Sequence, residues 1–457
     1  MENGAPPDAP RPRSIARTAL LLLPVQIVFR TGEAIVPLLL AAWFGRTPST
    51  DLYYLCWAFF TFAGALIASA FQDSALIPGL TDVQARQPRE YSRVAGSLLG
   101  HTLAYGSALS LGMSGVALVW FRLAYDPALF RVAVSLVAPF AIYLVALSTR
   151  AFFVGLLNAR GRYFAHPVAS GAGITTAIAI IAVGRARLDV AVLPVAWLVG
   201  ELVAVLVLFG TTRGLLGIRL PLSLERPEPV TRFFRLVAAE VTGSAITRIN
   251  PVVDQVIAGL SGVVGGGTVL RYAFDVASLP TSAVQATILP VLLSHLSYDV
   301  AARNVASFAR TVRNALLSVC GILVAMSALL TLFRRPILRL VFLHGEMDAA
   351  GVEAMAEIVP YALLGVAPFG ALLILARAHV ALQNSRIMVS MGILNAALNA
   401  VFDVLFFKWL GLRGIALSTS MMQLAIALVF WFRLRPVLAR EGAREGAREG
   451  AGEAAPP

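Results

Sequence analysis

The chain consists of long apolar runs separated by short polar segments that are rich in arginine. Each run reaches about 20 residues, the length that a helix needs to cross a bilayer. We predict twelve spans, near residues 16–44, 52–80, 94–121, 131–158, 165–184, 188–212, 230–260, 266–296, 307–333, 353–383, 386–410 and 413–434. The pattern therefore predicts an all-α polytopic membrane protein with about twelve transmembrane helices.

Two short segments that lie half a chain apart resemble each other. Residues 150–160 and 377–386 each close an apolar run with an arginine, small residues, an asparagine and a second arginine. A duplicated helix end in an apolar chain is typical of secondary transporters built from two similar halves. We predict two six-helix halves, 16–222 and 223–436, around a central cavity.

The remaining segments connect or flank these halves. The longest predicted cytoplasmic connection is 213–229, which contains several prolines and is not expected to continue a helix. Residues 1–15 are predicted to be a cytoplasmic N-terminal segment. Residues 437–457 repeat Arg-Glu-Gly-Ala and end in Pro-Pro, a low-complexity composition that predicts a disordered or weakly helical cytoplasmic tail.

Composition and charge agree with a membrane protein. The chain is 58% hydrophobic and only 14% charged, whereas about a quarter of the residues of a soluble protein are charged. The net charge of +12 would suggest nucleic acid in a soluble protein, but here it belongs to loops that face anionic lipid headgroups. Most arginines fall on the side that holds both termini, so the positive-inside rule predicts both termini in the cytoplasm.

The sequence predicts no enzyme active site and no cofactor. Cys56 and Cys320, the two cysteines of the chain, both fall in apolar spans, which argues against a disulfide framework and a zinc site. No cluster of histidine, cysteine and carboxylate residues has metal-ligand spacing, and no Ser/His/Asp set is apparent. The glycines at 265–267 do not follow a strand, so they do not predict a phosphate loop.

Charged residues inside the predicted spans are the main candidates for function, since an ionised group at mid-membrane costs roughly 2.5–3.5 kcal/mol. The first two and the seventh and eighth spans hold most of them, at equivalent places in the two halves. They are Arg30, Glu33, Asp51, Asp73, Glu240, Arg248, Asp254, Arg271 and Asp275. Interhelical ion pairs that only fix packing are the alternative. The stripe of Asn395, Asn399 and Asp403 in the eleventh span favours helix–helix contact over ligand binding.

Several motifs, in their shared order, resemble one family over about residues 15–435. The family is that of the MurJ/MviN-type lipid II flippases, within the superfamily of multidrug and oligosaccharidyl-lipid exporters. The motifs are Phe44-Gly45 with Thr50-Asp51-Leu52-Tyr53-Tyr54, Val253-Asp254-Gln255, Arg271-Tyr272-Ala273 with Leu279-Pro280 and Ile288-Leu289-Pro290, Phe342-Leu343-His344-Gly345-Glu346 and Leu412-Arg413-Gly414.

This resemblance implies a flippase that moves an undecaprenyl-linked cell-wall or surface-glycan precursor by alternating access. Its partner would be a lipid-linked oligosaccharide with a polyprenyl pyrophosphate. A pyrophosphate requires cationic side chains, and Arg30, Arg248 and Arg271 are the candidates. Glu33, Asp51, Asp254 and Asp275 are the candidates for balancing charge or binding a coupling ion.

The chain also departs from the family pattern. Positions where the family carries arginine hold Val36 and Ala65, and its arginine and glutamate of the eighth span fall on Asp275 and Ser278. The family has two further spans after the twelve predicted here. Two alternatives follow: a cation-coupled multidrug antiporter of the same superfamily, and a degenerate homologue that does not transport.

Overall fold

A computed structural model of the chain describes residues 35–68, 76–217, 220–302, 304–382 and 384–453. All regular structure within these ranges is helical. The helices are α1 (Ile35–Phe44), α2 (Pro48–Ala68), α3 (Leu76–Arg86), α4 (Tyr91–Ala124), α5 (Pro127–Ala159), α6 (Ala165–Leu188), α7 (Val192–Leu216), α8 (Glu228–Arg248), α9 (Asn250–Gly259), α10 (Gly266–Ala301), α11 (Val305–Leu332), α12 (Arg334–Phe342), α13 (Ala349–Leu363), α14 (Val366–Ala381), α15 (Ser385–Leu410) and α16 (Leu412–Glu453).

The structure confirms an all-α polytopic fold. Within the described ranges, eight helical segments are long and apolar enough to cross a membrane. One of them, Ala165–Gly214, contains two helices, because a 3₁₀ turn at Asp189–Ala191 separates α6 from α7. The two helices are antiparallel and approach closely at Gly173 and Gly200, where a side chain on either glycine would meet the backbone of the other. The predicted division between the fifth and sixth spans is therefore confirmed.

Two predicted spans are each broken into two helices. The predicted span 230–260 ends as α8 at Arg248 and resumes as α9 at Asn250, with Pro251 in the first turn of the new helix. The predicted span 353–383 is interrupted at Leu364 and Gly365, where a side chain on Gly365 would meet Ser420 and Gln423 of α16. Neither break was predicted from the hydropathy of the sequence.

The C-terminal tail is helical over most of its length. Helix α16 continues past Pro436 to Glu453 and includes the Arg-Glu-Gly-Ala repeats, for which the sequence left disorder and weak helicity open. Alanine, arginine and glutamate all have high helix propensity, which outweighs the glycines in this segment. Residues 454–457 lie outside the described ranges.

Helices α1–α7 are called the N-terminal half and helices α8–α16 the C-terminal half. Polar contacts join α5 to α7 and α14 to α16. In the N-terminal half, Arg150 of α5 forms an ion pair with Glu201 of α7. In the C-terminal half, the His379 ring of α14 lies 3.1 Å from the Phe430 carbonyl of α16. The main contacts between the halves come from α2, α3 and α4 on one side and α8, α9 and α10 on the other.

Candidate functional site

Helix α10 carries a row of polar residues along one side. Arg271, Asp275, Ser278, Ser282 and Gln285 follow a spacing of four, three, four and three residues, which places them on one helical face. All five are partly or fully exposed, while Tyr272, Ala273 and Ala277 beside them are buried. We call these five residues the polar face of α10. A polar, accessible face on a membrane helix lines a water-filled space rather than lipid.

Arg271 and Asp275 form an ion pair on this polar face. The Arg271 Nε lies 3.1 Å from a carboxylate oxygen of Asp275, one helical turn away, as the spacing predicted. Their side chains are 39% and 25% exposed, so both remain accessible. Beside them, the ring of Tyr272 packs edge-on against Tyr54 of α2, at 5.6 Å between ring centroids. This contact places the pair where the two halves meet.

Two buried carboxyl groups from α9 and α15 share one asparagine. The Asn399 amide nitrogen lies 3.3 Å from Asp254 Oδ1 and 2.9 Å from Asp403 Oδ2, and all three residues are buried. We call Asp254 and Asp403 the carboxyl pair. The second oxygen of Asp403 and the side-chain oxygen of Asn399 are buried without a hydrogen-bond partner among the described residues. Such oxygen atoms suit a hard cation or a proton.

The neighbouring turn of the same two helices is held by asparagines. Asn250 Nδ2 donates to Asn395 Oδ1 at 2.6 Å, which ties the start of α9 to α15. The predicted helix-contact role of the asparagine stripe therefore holds for Asn395. Asn399 and Asp403 lie in the same stripe but bring two carboxyl groups together, which the prediction did not include.

Asp51 of α2 lies beside the first turn of α10, away from the polar face. Its carboxylate accepts hydrogen bonds from the Thr268 backbone N–H and from the Thr268 hydroxyl, each at 2.8 Å. The first amide groups of a helix lack partners within that helix, so a carboxylate from α2 stabilises the start of α10. Asp51 therefore connects the two halves and does not reach the polar face.

Arg46 makes a second connection at the same end. Its guanidinium donates to both carboxylate oxygens of Asp348, at 2.8 and 3.0 Å, and to the Val264 carbonyl at 3.3 Å. The Arg46 hydrogen bond holds the pKa of the Asp348 carboxyl below its ordinary value. This bidentate pair joins residues that are 302 positions apart in the chain.

A backbone contact completes this end of the molecule. The Glu346 N–H donates to the Ala42 carbonyl at 2.9 Å. Gly45 and Gly345 flank it with left-handed φ angles of 59° and 62°, and a Cβ on Gly345 would lie 2.0 Å from the Ala42 oxygen. We call the contacts Arg46–Asp348, Asp51–Thr268 and Ala42–Glu346 the outer clamp, because the arginine distribution predicts that this end faces outward.

The predicted site residues lie in separate parts of the structure. Arg271 and Asp275 lie on the polar face, Asp254 belongs to the carboxyl pair, and Asp51 belongs to the outer clamp. Arg248 is the last residue of α8 and is exposed, without an ion pair to any described residue. Arg30 and Glu33 lie outside the described residues.

Three residues of the carboxyl pair and the outer clamp were not identified as site residues from the sequence. Asp403 was considered only as a packing residue, although its position four residues after Asn399 in an apolar helix was a signal for a polar site. Arg46 and Asp348 were not considered, because both fall in loops and their partnership depends on the tertiary fold.

A family model identifies the chain. The model described as Lipid II flippase MurJ matches residues 40–446, which is most of the chain. The chain belongs to the MurJ family. Two curated relatives, each named a probable lipid II flippase MurJ, agree with this. The protein of Rhizobium tropici is 26% identical over 400 residues, covering 84% of this chain and 74% of the relative. That of Rhizobium meliloti (strain 1021) is 25% identical over 392 residues, covering 82% and 72%.

Solved structures show that the MurJ-family fold is shared with a wider group. A lipid II flippase MurJ in an inward closed conformation aligns with a TM-score of 0.76 at 18% identity, covering 91% of this chain and 87% of that chain. An inward-facing multidrug transporter of the MATE family aligns with a TM-score of 0.71 at 15% identity, covering 90% and 99%. At these identities the likeness concerns the fold alone. The resemblance read from the sequence motifs is thus confirmed, and the chain is a multi-pass membrane protein.

Proposed function

We propose that this chain is a flippase that moves a polyprenyl-pyrophosphate-linked cell-wall or surface-glycan precursor across a bacterial inner membrane. The observation that carries the proposal is the polar face of α10, with an accessible arginine where the two halves meet. A lipid-linked sugar needs a hydrophilic path for its head while its tail stays in the bilayer. Membership in a family of lipid II flippases supports the same function.

Arg271 is the residue that we propose for phosphate recognition. A guanidinium binds a phosphate through two parallel hydrogen bonds, and the hydrogen bond with Asp275 orients Arg271 before a phosphate binds. A phosphate would compete with Asp275 for Arg271. Arg30 and Arg248 stay in the proposal as further cationic candidates, and Glu33 as a group that balances charge.

The carboxyl pair is the proposed site of energy coupling. Asp254 and Asp403 approach the same amide of Asn399 in a buried position, and two like charges there repel each other unless a cation or a proton lies between them. Na⁺ or H⁺ binding would therefore stabilise the contact of α9 with α15. Because α9 begins at the break after Arg248, the contact can influence how α9 lies against α2.

The outer clamp supports an alternating-access mechanism. The hydrogen bonds of the outer clamp and of the adjacent Thr50 join the two halves at this end of the described chain. A molecule closed at that end and accessible along α10 is expected to receive its substrate from the other side. We propose that both termini and the connection 213–229 are cytoplasmic, so this arrangement faces inward.

Opening of the outer clamp is expected when its ion pair is removed. In the variant Asp348→Asn, a single cysteine at position 261 should react several-fold faster with an impermeant maleimide added outside, because the bidentate pair with Arg46 is lost. Acidification of the parent is expected to weaken the same ion pair. The pKa of Asp348 is depressed, so the pair is intact above the ordinary aspartate pKa of about 4 and weakens as the pH falls below it.

The matched control is Arg413→Gln, which breaks the Arg413–Glu357 pair within the C-terminal half and should leave the labelling rate unchanged. A cysteine in 213–229 should react only from inside. Labelling of 213–229 from outside would overturn the proposed orientation, and unchanged labelling of position 261 in Asp348→Asn would overturn the role of the clamp.

The function itself is tested by complementation. Expression of this chain should restore growth to a bacterium that is depleted of its own lipid II flippase, if the glycan precursor is a peptidoglycan intermediate. Failure to rescue, with normal membrane insertion, would exclude that precursor and direct the search to other surface glycans.

A cation-coupled drug antiporter is the second candidate, and the carboxyl pair favours it. A buried pair of aspartates can exchange protons or Na⁺ for a cationic drug without any phosphate recognition. The antiporter proposal differs from the flippase proposal in the expected role of Arg271, because a cationic substrate would not need an arginine. A homologue that does not transport would require neither the polar face nor the carboxyl pair.

A further inference from the structure

The connection between the halves lies along α4. Residues 220–227, which we call the strap, pass over Gly96 and Gly100, where a Cβ would lie 2.1 Å from the Pro221 oxygen and 2.3 Å from the Ser223 oxygen. Arg93 binds the Glu225 carboxylate at 2.7 Å. The strap is therefore held on the N-terminal half, and it positions the residue that follows Glu225.

That residue is Arg226, whose guanidinium lies against neutral groups. One nitrogen donates to the Tyr105 hydroxyl at 2.5 Å, and Nε lies 3.3 Å from His101 Nε2. Phe234 of α8 packs on both rings, at 5.4 Å from His101 and 5.0 Å from Tyr105. Among the described residues no carboxylate forms an ion pair with Arg226, so its charge is uncompensated.

A cavity of about 390 Å³ begins at this aromatic cluster and extends between the halves. Its lining is mainly apolar and includes Ile67, Tyr105, Leu109, Phe234, Val237 and Val241. The two other hydroxyl groups in the wall, of Thr102 and Ser148, donate within their own helices at 2.7 Å. The interior therefore offers little to a polar ligand and suits a hydrocarbon chain.

The apolar cavity lies next to arginines on the cytoplasmic side of the proposed membrane. Its residues lie on the middle turns of α4 and α8, and its aromatic end contacts Arg226 of the strap, which is on the cytoplasmic side in the proposed orientation. Arg232 and Arg235, both exposed on the first turns of α8, add positive charge at the same level. Anionic phospholipids of the cytoplasmic leaflet are attracted to such arginines.

We propose that this cavity binds one acyl chain of an anionic phospholipid, whose phosphate interacts with Arg226. The site is separate from the polar face of α10, since none of the five residues of that face lines it. A lipid bound here would contact α4 and α8 at once. It would therefore stabilise the arrangement of the halves in which the strap lies on α4.

The test uses the full-length protein in nanodiscs that contain phosphatidylglycerol with a photoreactive group on one acyl chain. Crosslinks are expected in the peptides around 102–109 of α4 and 234–241 of α8. Phosphatidylcholine with the same chain should label these peptides about fivefold less, since one arginine near the surface contributes about that factor for an anionic headgroup.

Two variants and one control make the outcome decisive. Arg226→Gln should remove the preference for phosphatidylglycerol, and Leu109→Trp should reduce labelling by both lipids because it fills the cavity. Arg131→Gln, an exposed arginine at the start of α5, should change neither. Arg226 is exposed, so its variant is expected to fold even if Leu109→Trp does not.

Equal labelling by both lipids in the parent would overturn the proposal, as would a preference that persists in Arg226→Gln. Displacement of the phospholipid by a polyprenyl pyrophosphate, but not by excess unlabelled phosphatidylglycerol, would also overturn it, because the cavity would then belong to the substrate. Failure of the proposed transport function would not change these outcomes, since they measure lipid binding alone.

Discussion

Replacement of Arg271 by alanine is expected to reduce translocation about 10- to 100-fold, with membrane insertion close to that of the parent. A hydrogen bond to a charged group contributes about 1.5–3 kcal/mol, and Arg271 is the accessible guanidinium on the polar face. Removal of a charge from a membrane helix lowers the insertion cost, so the loss should appear in transport and not in folding. Translocation in reconstituted vesicles and the amount of inserted protein measure the two effects.

The matched control is Arg187→Ala, which removes an exposed arginine from the end of α6 that contacts no charged residue in the described chain. It should leave translocation unchanged. Asp275→Asn should retain substrate binding, because it frees Arg271 from its resident partner. Degradation of both Arg271→Ala and Asp275→Asn, with normal insertion of Arg187→Ala, would favour a packing role for the pair and contradict phosphate recognition.

Replacement of Asp403 or Asp254 by asparagine is expected to shift the dependence of transport on Na⁺ or protons to higher cation concentrations. Each change removes one charged oxygen ligand, and the apparent affinity for the cation should fall about 10- to 100-fold. Neither variant should be less stable than the parent, because it relieves repulsion within the buried carboxyl pair. Transport rates measured over a range of Na⁺ concentrations and pH values give the result.

Asp82→Asn is the control for loss of a carboxylate, since Asp82 is exposed and pairs only with Arg86 one turn away among the described residues. Its cation dependence should equal that of the parent. If Asp403→Asn retains the full dependence on Na⁺ and pH but unfolds at a lower temperature, the carboxyl pair is a packing contact and the coupling site lies elsewhere.

The sequence predicted the helical membrane fold because hydropathy depends on local composition alone. Long apolar runs became α4, α5, α6, α7, α10, α11 and α15 with ends within a few residues of those predicted. The breaks before Asn250 and at Gly365 were not predicted. The first depends on the proline at 251, which can also be accommodated in a continuous helix, and the second on contacts of Gly365 with a distant helix.

The part of the candidate site that is formed by residues close together in the sequence was predictable. Arg271 and Asp275 are four residues apart on one helix, so their ion pair followed from helical geometry. The partnership of Asp254 with Asp403 and that of Arg46 with Asp348 join distant segments, and only the packing of α9 on α15 and of the outer loops brings them together. The role of Asp51 at the start of α10 likewise required the relative position of the halves.

The measurement that tests the central claim most directly is translocation by purified protein in vesicles, with two substrates compared. A fluorescent polyprenyl-pyrophosphate sugar should move between leaflets in the parent and about 10- to 100-fold more slowly in Arg271→Ala. Cationic dyes should show no efflux driven by a proton or Na⁺ gradient. Efflux of cationic dyes that Asp254→Asn abolishes, without any translocation of the lipid-linked sugar, would contradict the flippase and identify an antiporter.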